Sequence, residues 1–117
     1  MVFAFLEDGT LVVHATPSDA TREYEGIDVE SGVVRFYDET GTFLEPRFTT
    51  PNRQGKTLGL IPWVESGTYE LVPNPSAEAD SFALALHETS VLEPNPWFGS
   101  LDELKTTLAA RGVVVTI

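Results

Sequence analysis

Between Val2 and Leu44 this sequence turns back on itself twice, and those two reversals limit the fold more than any other feature. Val2–Leu6 and Leu11–His14 flank Glu7-Asp8-Gly9-Thr10, where Asp8-Gly9 supplies the positive φ angles of a tight hairpin turn. Val33–Tyr37, β-branched and aromatic, and Thr42–Leu44 flank the turn residues Asp38-Glu39-Thr40-Gly41 in the same manner. Pro46 limits the return strand, and Arg47–Thr50 continues it only past a bulge. Thr68–Val72 alternates well enough for a further strand, closed by Pro73-Asn74-Pro75. Val113–Ile117 reads as a buried last strand.

Helical signals lie mostly in the second half. Ser18 is placed to cap a short helical turn through Tyr24, which Gly26 stops. From Ser76 the period changes: Ala79, Phe82, Ala83 and Leu86 fall on one helical face, with Glu78 and Asp80 in the first turn. Ser100-Leu101-Asp102-Glu103 matches the capping box, in which hydroxyl and carboxylate each satisfy a free backbone amide. Leu101, Leu104 and Leu108 follow as the apolar stripe, and Gly112 ends the helix. The polar stretch 51–57 reads as a basic loop, and Leu58–Val64, broken by Gly59 and Pro62, as an irregular or edge segment. Strands early and helices late predict an α+β fold: a mostly antiparallel curved sheet with two to three helices packed on one face.

At 117 residues the chain suits a single domain, 1–117. It contains no cysteine, which rules out disulfides and thiolate sites. The N-terminal apolar run meets Glu7-Asp8 without a basic region before it, a poor signal peptide, and no stretch approaches the ~18 apolar residues of a membrane span. A cytoplasmic protein is the expectation.

Charge narrows the functional classes. Residues 1–45 carry ten acids and two bases, residues 46–63 three bases and no acid, and residues 64–117 eight acids and two bases, for a net charge of −11. Such a surface repels nucleic acid and anionic membrane and attracts basic macromolecules. Gly55-Lys56-Thr57 resembles the end of a phosphate-binding loop, but Thr50 stands where the first glycine belongs and no helix can follow. His14 and His87 sit in no ligand-spaced cluster, so no metal or cofactor is expected, and no nucleophile elbow or zinc-protease pattern occurs. Asp28-Val29-Glu30 lacks the spaced loop and glycine of a calcium site. Trp63 and Trp97 read as core or core-rim residues.

What remains is Asp19–Glu30. Asp19, Glu23, Glu25, Asp28 and Glu30 are offset only by Arg22 and interleaved with Tyr24. They make either a solvated surface or a docking patch whose carboxylates pair with Arg and Lys and whose anchor is Tyr24. Small size, absence of cysteine, acidity, hairpin-rich order and this cluster together resemble the immunity proteins of bacterial toxin–immunity systems. The resemblance implies a non-enzyme that occludes a basic toxin domain, often a nuclease, by presenting carboxylates where phosphates would sit. A different class of reading is a small ligand-binding or enzymatic domain, with a pocket lined by Phe36, Phe43, Trp63, Tyr69 and Phe98 and polar groups from His14, Arg35 or His87. A structural subunit would instead expose an apolar patch.

Overall fold

The computed structural model describes residues 1–57, 61–76 and 81–117. The chain is α+β, with eight strands and four helices among those residues. In order they are β1 (Val2–Leu6), β2 (Thr10–His14), α1 (Pro17–Glu23), α2 (Gly26–Glu30), β3 (Val34–Asp38), β4 (Phe43–Phe48), β5 (Arg53–Thr57), β6 (Ile61–Glu65), β7 (Tyr69–Pro73), α3 (Ser81–His87), β8 (Val91–Leu92) and α4 (Leu101–Ala110). Six strands form one open sheet in the order β7-β4-β3-β1-β2-β8, and β5 and β6 form a separate two-stranded ribbon. Every pairing is antiparallel except that of β2 with β8.

Both expected hairpins form. Gly9 takes φ 89° at the first turn, and its amide donates to the Leu6 carbonyl at 3.1 Å. In the second, the Asp38 carboxylate accepts from the Thr40 and Thr42 amides at 2.9 and 3.0 Å, and so closes the turn from within.

The helices do not share one face; they divide between both. β1 is central, and Val2, Phe3, Ala4 and Phe5 are all buried, so neither side of the strand can face water. Phe3 and Phe5, with Leu11, Val13 and Tyr37, pack against Phe82 and Leu86 of α3 and Leu104 and Leu108 of α4. Val2 and Ala4, with Val34, Phe36 and Leu44, pack against Ala20 of α1 and Val29 of α2. On the α3–α4 side the rings of Phe3, Phe5 and Tyr37 all lie within 5.4–5.8 Å of Phe82.

Pro46 does not limit β4, and no bulge is needed. The Thr49 amide donates to the Thr68 carbonyl, and the Asn74 amide to the Phe43 carbonyl, which sets the alternation along β4 and β7. In that alternation Pro46, opposite Leu71, and Pro73, opposite Leu44, occupy positions whose nitrogens point away from the partner strand. Pairing of β4 with β3 has already stopped at Phe36–Leu44, so no acceptor waits for the hydrogen that Pro46 lacks.

Other expectations are corrected. The basic loop is in part a strand, β5; the segment after it is an edge strand, β6, as one of its two readings had it, paired Trp63 to Gly55, and Leu58–Leu60 lies outside the described residues. A Cβ on Gly55 would sit 2.9 Å from the Trp63 indole, so the glycine makes room for the ring across the ribbon. Trp63 and Trp97 are not core residues but 37% and 41% exposed. Thr16, not Ser18, caps α1 with Pro17 in its first turn, its hydroxyl accepting from the Asp19 amide at 3.1 Å. Gly26 opens α2 rather than merely ending α1. Helix α3 holds Phe82, Ala83 and Leu86 as expected, while Glu78, Ala79 and Asp80 lie outside the described residues. Val113–Ile117 forms no strand: Val113 and Val115 pack on the α3–α4 core, and Val114 and Ile117 are exposed. Val113 lies against the β3–β4 turn at the Gly41 position, and residues 113–117 pair with no strand.

The capping box is present as read. The Ser100 hydroxyl accepts from the Glu103 amide at 3.1 Å, and the Glu103 carboxylate from the Gly99 amide at 2.7 Å. Ser100→Ala is expected to cost about 1 kcal/mol, and Leu104→Ala about 3 kcal/mol through the cavity left against β1. Urea unfolding of the two variants measures both.

Candidate acidic interface

The segment singled out by its charge is two short helices, α1 and α2, joined by Tyr24 and Glu25. Ala20 and Val29 are the buried studs that fix the pair to the sheet. Glu23, Glu25, Asp28 and Glu30 are exposed, whereas Asp19 and Tyr24 are half-buried. Asp19 is paired with Arg22 at 2.6 Å. Glu30 accepts a hydrogen bond from the Asn52 amide at 2.6 Å. Glu23, Glu25 and Asp28 take part in none of the ion pairs found among the described residues.

Tyr24 points inward. Its ring meets those of His14 and Phe36 edge-on at 5.4 and 5.6 Å, and its hydroxyl lies 2.8 Å from His14 Nε2. The Tyr69 hydroxyl donates to the Tyr24 carbonyl at 2.9 Å, so both ends of the residue are tied to the body. Burial, with Glu23 and Glu93 nearby, pushes the Tyr24 phenol well above its ordinary range, and burial pushes Tyr69 up to about 12. Burial also lowers His14, against the opposing pull of Glu23, Asp19 and Glu93. The arrangement that fits these shifts has the Tyr24 hydroxyl donating to an unprotonated Nε2.

Asn52 is the residue that sequence reasoning missed. Its amide donates to the Gly26 carbonyl at 3.0 Å as well as to Glu30, and its carbonyl accepts from the Gly67 amide at 2.7 Å. One side chain thereby clamps both ends of α2 to the two chain segments at the root of the ribbon. Its partners are 15 to 26 residues away in sequence, a separation that no local pattern signals. A groove of about 270 Å³ lies beside this clamp, bordered by Ile27, Glu30, Ser31, Arg53 and Gln54.

The aromatic pocket expected under the sheet does not assemble. Phe36 and Tyr69 belong to the α1–α2 core, Phe43 and Phe98 to the opposite core, and Trp63 to the ribbon. Its polar candidates are dispersed as well. His14 serves Tyr24, Arg35 reaches the Tyr37 hydroxyl at 2.9 Å from the other face, and His87 is exposed at the end of α3. Among the described residues there is no cluster of His, Asp or Glu suited to a metal ion, and no helix long and apolar enough to cross a membrane. Gly55-Lys56-Thr57 lies in a strand, without the helix N-terminus that a phosphate loop requires. Comparison with protein-family models, with curated proteins and with solved structures finds no match.

Two outcomes follow from this geometry. His14 has a pKa in the fold below the 6.5 of the unfolded chain, so the unfolded chain binds more protons between those two values. The fold is therefore at full strength above pH 6.5 and loses stability as the pH falls below it. Urea unfolding between about pH 7.5 and about pH 5.5 should show this loss in the wild type and less of it in His14→Gln, whose side chain does not titrate. Asn52→Ala should cost about 2 kcal/mol by stranding the Gly67 amide and loosening α2. Hydrogen exchange would report it as faster exchange confined to α2 and the ribbon root.

Proposed function

We propose that this chain is a non-catalytic binding protein whose acidic surface neutralises a basic protein partner, as an immunity protein neutralises a nuclease toxin. The observation that carries this reading is the rigid mounting of Glu23, Glu25 and Asp28. These carboxylates are exposed and outside the ion pairs of the chain's described residues, yet the backbone beneath them is fixed. Ala20 and Val29 hold it from below, Tyr24 is tied to His14 and Tyr69, and Asn52 clamps α2. Solubility alone calls for charge but not for this bracing. Carboxylates in a preset array meet Arg and Lys without an ordering cost, and a net charge of −11 steers a cationic partner toward them.

In this reading Tyr24, tied to His14 and Tyr69, serves as a strut for the array, and the carboxylates make the contact.

The test is capture from the native lysate at low salt, followed by a salt gradient. One basic protein retained at near-equal stoichiometry above ~0.3 M salt supports the reading, because exposed charge pairs are heavily screened there. A smear of basic proteins released early refutes it. With the captured partner in hand, Glu23→Lys combined with Glu25→Lys is expected to slow association about tenfold and to change dissociation less. Stopped-flow or surface-plasmon kinetics measures both rates, and unaltered rates would remove α1–α2 from the interface.

A further inference from the structure

The helices on one face of the sheet stop short of its β8 edge. Ala20 of α1 and Val29 of α2 close that face over β1, β3 and β4, and the sheet runs on past them to β2 and β8. Thr10 pairs with Val91 and Leu11 with Leu92, and residues paired across strands point to the same side. Leu11 and Leu92 belong to the α3–α4 core, so Val91 is turned to the side of α1 and α2, where it is 53% exposed. The Glu93 amide donates to the Leu11 carbonyl at 2.9 Å, which carries the ladder one residue further and turns Glu93 to the same side as Val91.

This edge carries charge of one sign. Residues 1–21 hold three acids and residues 88–104 four, with no Lys or Arg in either stretch. Arg22, the next base along the chain, is held by Asp19 at 2.6 Å. Glu93 takes part in none of the ion pairs found among the described residues. Burial is the larger influence on His14 and Tyr24, but Glu23 and Glu93 act on both, which gathers the two carboxylates around one point. Four residues past Glu93, and so at most about 14 Å away, Trp97 is exposed on a turn that is tied from within. The Asn95 side-chain carbonyl accepts from the Trp97 and Phe98 amides at 3.0 and 2.8 Å, and Phe98 is buried against Phe3. The indole is thus presented with little left to order on contact.

We infer that the surface receiving the basic partner extends from α1 across the β2–β8 edge, with Glu93 joining Glu23 in the contact and Val91 and Trp97 as its apolar anchors. This rests on the proposed function and supplies what carboxylates alone lack. Exposed charges govern how fast two proteins meet, whereas buried anchors, Trp foremost, govern how long they stay. An interface of ordinary size, about 800 Å² a side, is broad enough to take in α1 and this edge together. The occupant is a protein segment in which apolar side chains stand beside Arg or Lys. An acidic segment is repelled here, and a wholly apolar one would leave Glu93 covered and unpaired.

The probe is an amidated hexapeptide of alternating Arg and Leu, compared with one of alternating Arg and Ala that has the same charge. Each is titrated into the full chain and followed by amide and indole NMR shifts. The Arg–Leu peptide should shift the Val91 and Glu93 amides and the Trp97 indole, and bind about fivefold more tightly than the Arg–Ala peptide. Val91→Ser combined with Trp97→Ala changes two exposed side chains. The pair should remove that advantage and leave Arg–Ala binding as it was, with circular dichroism reporting an intact fold. Equal affinity of the two peptides, shifts confined to α1–α2, or an advantage that survives the double change would each overturn the inference. Shifts confined to α1–α2 would leave the proposed function standing. With the partner captured from lysate, the same double change should speed dissociation about tenfold and leave association alone. Capture with an unaltered off-rate defeats this inference only, whereas failure to capture one basic protein defeats both.

Discussion

The structure depends on one strand that has no outside. Val2, Phe3, Ala4 and Phe5 of β1 are all buried, which obliges the chain to supply a cover for each face of the sheet. The large residues, Phe3 and Phe5, face α3 and α4, where the aromatic cluster around Phe82 gathers. The small ones, Val2 and Ala4, face α1 and α2, and two helices of seven and five residues are enough to cover them. The acidic helices are therefore thin caps over a shallow core, and their position owes as much to single polar ties as to burial. His14 with Tyr24, Tyr69 with the Tyr24 carbonyl, and Asn52 with both ends of α2 do that work.

Local chemistry was readable where a few adjacent residues decide the outcome. The turns at Asp8-Gly9 and Asp38–Gly41 and the capping box at Ser100 depend on bonds spanning four residues or fewer, and all are present. The cap of α1 was within reach too, since Pro17 in the first helical turn points to Thr16 as the residue before it. Failures came where a residue's meaning is set by distant partners. Pro46 was harmless because β3 had already parted from β4, and only the strand register shows that. Val113–Ile117 has the composition of a strand, but Val113 and Val115 are taken up in covering the α3–α4 core. The division of helices between two faces was present in the unbroken apolar run of β1, which does not alternate as a half-exposed strand would.

For the candidate interface, sequence located the carboxylates but not their support. Charge counting finds Glu23, Glu25 and Asp28 without help. It is silent on Asn52, an unremarkable residue between a proline and an arginine, and on the ties that hold Tyr24 to His14 and Tyr69. The same limitation explains the pocket that did not form. Five aromatics are a natural lining only if they share a side of the sheet, and Phe36 and Phe43 are separated by the sheet itself.

The placement of the two prolines has a consequence for how the molecules can accumulate. Pro73 turns its nitrogen to the outer edge of β7 and removes a donor there, and the opposite edge is β8, only two residues long. Neither border of the sheet gives an incoming strand a full row of hydrogen-bonding groups. The six-stranded sheet thus resists the open-ended route by which sheets add to sheets and grow into fibres.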